Sequence, residues 1–103
     1  MALFHSLMRY KDDGLIKRFV MIENDRAELH LFNGDSFIVF MNSKYIVGES
    51  VVDEAIEGES PADYIIYNTW NQVAQSAKDY AEKCEISMVI FGKFSKILED
   101  LND

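Results

Sequence analysis

This chain is poor in the residues that staple, break or anchor a polypeptide. Its one cysteine, Cys84, leaves no partner for an internal disulfide, and a lone thiol fits a reducing compartment. Its one proline, Pro61, stands in no Pro-, Gly- or Ser-rich stretch, so no linker or low-complexity segment divides the chain. Its glycines stand singly, and Gly34, Gly48, Gly58 and Gly92 build no phosphate-binding loop. The two histidines, His5 and His30, are too few and too far from other ligands for a zinc motif. No run approaches the roughly 18 apolar residues that span a bilayer. Residues 1–8 are apolar but lack a basic leading region and a small-residue cleavage site, so no targeting segment is expected. The expectation is a single cytoplasmic domain over residues 1–103, with no membrane partner.

The composition fits a real core: 49% of the residues are hydrophobic. The net charge of −8 is unevenly placed. Residues 1–44 hold six Lys or Arg against six Asp or Glu, whereas residues 45–103 hold four against twelve. The second part repels phosphate backbones, so any nucleic-acid contact falls to Arg9, Lys11, Lys17, Arg18, Arg26 and Lys44. The bland account of these charges is a solvated face that keeps a small domain soluble.

Strand, helix, strand, helix is the clearest pattern, over residues 64–98. Trp70, Val73, Ala74, Ala77, Ala81 and Cys84 form one apolar stripe, which predicts a helix over 70–83 and a buried Cys84. Thr69 and Gln72 match a capping box, with Asn68 as a rival N-cap. The flanking runs, 64–67 and 86–91, are short and rich in Ile, Val and aromatics, as parallel strands joined by a helical crossover require.

Upstream, Leu3, Phe4, Leu7 and Tyr10 predict a helix over residues 2–11, stopped by Asp12-Asp13-Gly14. Residues 15–23 read as a strand and Asn24-Asp25-Arg26 as a turn. Residues 27–32 alternate, with Leu29 and Leu31 on one face and Glu28 and His30 on the other. Asn33-Gly34 then predicts a two-residue type I′ hairpin turn. Residues 36–41 are continuously apolar, as in a central strand, and 44–47 extend it past a bend. A helix begins at Glu49, capped by Ser50 and closed by Gly58. After Gly92, Phe94, Ile97, Leu98 and Leu101 form a last helix. The fold class is thus α/β (α+β): an antiparallel three-stranded meander followed by a parallel βαβ unit in one mixed sheet, with helices on both faces.

This order, with Ile65-Ile66-Tyr67-Asn68 leading into an Ala-rich helix and then Glu85-Ile86 and a closing helix over 94–98, resembles the restriction-endonuclease-like, PD-(D/E)XK superfamily, its Mrr-type members above all. The resemblance covers residues 15–101 and implies a nuclease-like scaffold. It implies Glu28 as the metal-holding acid of the second strand, and Asn42 and Lys44 as the acid and lysine positions of the third. In such a site the acids hold Mg²⁺, which stabilises charge at the phosphate and acidifies the attacking water. Asn42 is a neutral amide, so this set is one negative charge short. As residues, Glu28, Asn42 and Lys44 also read simply as polar groups at strand ends.

Three functions follow, in this order. The first is a small non-catalytic accessory or regulatory domain acting through a protein partner or homo-oligomer, with no cofactor. The second is a Mg²⁺-dependent nuclease acting on DNA, which the net charge disfavours. The third is a small-ligand binding module at the carboxyl ends of the parallel strands, near Asn68 and Gly92. Glu54, Glu57 and Glu59 read as a solvated acidic face. Trp70 reads as core, and Tyr64, Tyr67 and Tyr80 as a half-buried aromatic set.

Overall fold

The computed structural model describes residues 3–41, 46–68 and 71–102. Its elements run α1 (Leu3–Asp12), β1 (Arg18–Glu23), β2 (Arg26–His30), β3 (Ser36–Met41), β4 (Ile46–Val47), α2 (Glu49–Ile56), β5 (Tyr64–Tyr67), β6 (Gln72–Val73), α3 (Gln75–Lys83), β7 (Ser87–Ile90) and α4 (Phe91–Asn102).

Five strands form a mixed sheet in the order β1-β2-β3-β5-β7. β1, β2 and β3 are antiparallel neighbours; β5 runs parallel to β3 and β7 parallel to β5. The expected meander and parallel unit are both present, and β3, the most apolar strand, is central. Because strand side chains alternate, the sheet feeds two cores. On one face Leu3, Leu7 and Tyr10 of α1 and Phe94 and Leu98 of α4 pack on Ala27, Leu29, Val39 and Ile66. On the other, Val51, Val52 and Ala55 of α2 and Ala77 and Ala81 of α3 pack on Phe40 and Ile65.

Helix ends explain where the first and third helices stop. Gly14 has φ +76°, its amide bonds to Lys11 O, and the Leu15 amide bonds to Tyr10 O at 2.9 Å. That is a Schellman close of α1. The end of α3 repeats it: the Glu85 amide bonds to Glu82 O and the Ile86 amide to Ala81 O at 2.9 Å. Here the left-handed residue is Glu85, at φ 60°.

Several sequence expectations are corrected. The Asn33-Gly34 turn is not type I′. His30 pairs with Ser36, the Leu31 amide bonds to Asp35 O, and only Gly34 of the pair has positive φ, +94°. With the Gly34 amide bonded to Leu31 O, this is a three-residue loop closed by a glycine bulge. β4 does not extend β3; it pairs in parallel with β6 as a separate two-stranded sheet. β6 takes Gln72 and Val73 out of the predicted helix, so α3 starts at Gln75 after Ala74 rather than at position 70. Gln72 therefore stands outside α3, and its expected capping-box partner Thr69, like Trp70, lies outside the described residues. α2 is preceded by Gly48 with no side-chain cap, and Ser50 sits inside its first turn. The Arg26 side of the predicted turn is already strand, and α4 begins one residue before Gly92, directly from β7. No helix of the described residues is long and apolar enough to cross a membrane.

Candidate functional site

β1 is an edge strand, hydrogen-bonded to β2 alone among the described residues. Its Phe19 and Met21 face α1 and pack against the first core. No β1 residue joins the second core among the described residues, although Val20, opposite Glu28 and in line with Ile38, points to the face on which that core lies. Val20 is consequently 46% exposed and Ile22 40%. Ile22 is also where the β1–β2 register shifts: Met21 faces Ala27, but Glu23 faces Arg26. The extra residue turns Glu23 toward Arg26, 3.3 Å from its Nε. On α1, Phe4 is 45% exposed and its ring lies 5.7 Å from that of Phe19, edge on. Phe4, Met21 and Ile22 line a shallow groove with Glu23 and Asn24. An unpaired backbone edge and an apolar groove thus lie side by side.

Glu28 sits beside this edge, opposite Val20 on β1 and Ile38 on β3. Its carboxylate meets His30 Nε2 at 2.6 Å, two residues along the strand. Glu28 is half-buried and mid-strand, three residues short of the register of Met41, or about 10 Å along the sheet. Asn42 and Lys44 lie outside the described residues. Among the described residues, no group of three His, Cys, Asp or Glu side chains could hold a metal ion.

The other candidates disperse. Arg26 leaves the basic surface altogether: at 5% exposure it donates to the carbonyls of Glu54, Ala55 and Ser60 and lies over the Phe40 ring. The sequence signal for this is an arginine entering an alternating strand, a signal that the turn chemistry of Asn24-Asp25 masks. Tyr64 stacks edge-on with Phe37 and Phe94 in the first core. The Tyr80 hydroxyl donates to Asp53 Oδ1 at 2.6 Å, joining α3 to α2, and is pushed up to about 12, first by that hydrogen bond. Cys84 is half-buried at the end of α3, not fully enclosed. Asn68 and Gly92 follow the carboxyl ends of the neighbouring parallel strands β5 and β7, where Tyr67 pairs with Ile90; the Asn68 amide donates to Asn71 Oδ1, and Gly92 lines a cavity with residues of α1.

No family model, curated protein or solved structure matches the chain.

Proposed function

We propose that this chain is a small non-catalytic accessory or regulatory domain working through protein–protein contacts, and that its β1 edge pairs with a second copy of the chain. The order helix, meander, helix, strand, helix, strand, helix supports a restriction-endonuclease-like scaffold as its frame.

The observation that carries the reading is the apolar run Phe19-Val20-Met21-Ile22, with Val20 and Ile22 exposed, on a strand edge that pairs only with β2 among the described residues. Soluble proteins protect such edges with Lys, Pro or a covering element; this run has no charge and no proline. Arg18 and Glu23 stand at its two ends, so an antiparallel second copy brings opposite charges toward each other. The Phe4 groove adds apolar surface at the same border.

Sedimentation and light scattering test this over a wide concentration range. The wild-type chain is expected to dimerise, and Val20→Lys to remain monomeric with an unchanged circular-dichroism spectrum. A wild type that stays monomeric throughout, or a Val20→Lys chain that dimerises equally well, overturns the reading.

A further inference from the structure

Two asparagines clasp the last turn of α4 to the loop between β2 and β3. Asn33 Nδ2 donates to Leu101 O at 2.8 Å, and its Oδ1 accepts from the Asp35 amide at 3.0 Å. These two contacts fix the orientation of the side-chain amide, because the reverse would set oxygen against the Leu101 carbonyl. Asn102 answers from α4. Its Oδ1 accepts from the Phe32 amide at 3.3 Å, and its Nδ2 donates to Leu98 O at 2.9 Å and to Leu15 O at 2.6 Å, ahead of β1. The final carbonyls of a helix lack partners within it, and Asn33 supplies one of the missing donors.

The same residue carries a chemical liability. Asn33 alone among the asparagines of the sequence is followed by glycine, and both Asn33 and Gly34 are exposed. With no Cβ on the glycine, nothing crowds the approach of its backbone nitrogen to the asparagine Cγ. Gly34 has φ +94°, and even an added Cβ would meet nothing within 4 Å, so the loop is open there. The Gly34 amide is held only by a long bond, 3.3 Å to Leu31 O. The Asp35 N–H already points at Asn33 Oδ1, the atom on which negative charge grows when Cγ is attacked.

We infer that Asn33 is a site of spontaneous deamidation, and that the modified loop releases the end of α4. The Gly34 nitrogen, its proton taken by hydroxide, forms a bond to Asn33 Cγ. The Cγ–Nδ2 bond breaks, and ammonia leaves with a proton from water. One water then opens the succinimide at either of its carbonyls, giving aspartate or isoaspartate at position 33; nothing is oxidised or reduced. Either product lacks the donor to Leu101 O and places a carboxylate by the negative end of α4. Isoaspartate also lengthens the backbone of a loop whose length sets the pairing of His30 with Ser36. The inference stands independently of the pairing proposed for β1.

Incubation of the folded wild-type chain at mildly alkaline pH, followed by peptide mapping with mass spectrometry, tests the chemistry. Asn33 is expected to react before any other asparagine, at a rate that rises with pH, and to give both products. Asn33→Gln, whose longer side chain closes the ring far more slowly, should remove the leading species. Hydrogen exchange of Asn33→Asp tests the consequence. Amides in the last turn of α4 should exchange about fivefold faster, the effect of one lost hydrogen bond, while those of α3 are unchanged. Reaction first at another asparagine, or no reaction at Asn33, overturns the site. Unchanged exchange in α4, or an equal rise in α3, overturns the local release.

Discussion

Arg26 Nη1 donates to the carbonyl oxygen of Ala55 at 2.7 Å, tying β2 to the last turn of α2 across 29 residues of sequence. The same guanidinium donates to Ser60 O at 2.6 Å and Glu54 O at 2.5 Å. Its Nε faces Glu23 at 3.3 Å but outside hydrogen-bond geometry, so the carbonyls rather than the ion pair hold it. The final carbonyls of a helix lack intrahelical partners and carry its negative end, and a fork of N–H donors meets both needs. Arg26→Ala removes all three of these hydrogen bonds, with Ala55 O keeping only the Ala62 amide at 2.8 Å, and is expected to destabilise the fold by about 3 kcal/mol in urea denaturation. Arg26→Lys should recover less than half of that loss, because an ammonium cannot reproduce the fork.

Glu85 occupies the left-handed position that closes α3, where glycine is the ordinary choice. Its carboxylate also stands near the negative end of that helix. Glu85→Gly is therefore expected to stabilise the protein by about 0.5–1 kcal/mol, read as a higher urea midpoint with an unchanged slope. A loss of stability would show that the Glu85 side chain makes a contribution larger than its backbone strain.

The periodic parts of the chain were legible and the paired parts were not. Leu3, Leu7 and Tyr10 announce α1, and Phe37 to Phe40 announce a central strand, because burial on one or both faces writes itself into local spacing. Val73 fits the helical stripe, with Gln72 on its polar side, and the distant partner Ile46–Val47 makes both a strand. Tertiary pairing overrides propensity there. Arg26 was misplaced for the same reason: its acceptors lie 28 to 34 residues away, beyond any local pattern. Glu28 and His30 were correctly placed on one strand face, but their mutual contact is a rotamer choice that alternation does not encode.

Tyr10 and Tyr80 are both pushed up from 10.0 to about 12, the first by burial and the second by its hydrogen bond to Asp53. The unfolded chain releases these protons near pH 10 and the folded chain only near 12, so the unfolded state binds fewer protons in between. Stability should thus be insensitive to these groups below pH 10 and fall between pH 10 and 12. Spectrophotometric titration should show phenolate absorbance from these two residues appearing late. Tyr80→Phe should reduce the loss of melting temperature across that window; an equal loss in the variant would remove Tyr80 from the explanation.

The strongest rival to a non-catalytic role is metal-dependent cleavage of DNA. Such a reaction needs carboxylates converging on a divalent cation, since Mg²⁺ is held by oxygen ligands in near-octahedral geometry. Glu28 instead meets His30 at 2.6 Å, and its register lies about 10 Å from that of Met41, where the described part of β3 ends. Labelled single- and double-stranded DNA, incubated at low salt with Mg²⁺ or Mn²⁺, is expected to remain uncut by the wild type, by Glu28→Ala and by Lys44→Ala alike. DNA binding without cleavage would shift the reading toward a nucleic-acid-binding domain on the same scaffold, whose contacts then fall to exposed Lys11, Lys17 and Arg18 rather than to buried Arg26. Cleavage by the wild type that vanishes in both Glu28→Ala and Lys44→Ala would overturn the non-catalytic reading. It would require these two side chains to act at one metal despite the neutral amide at Asn42.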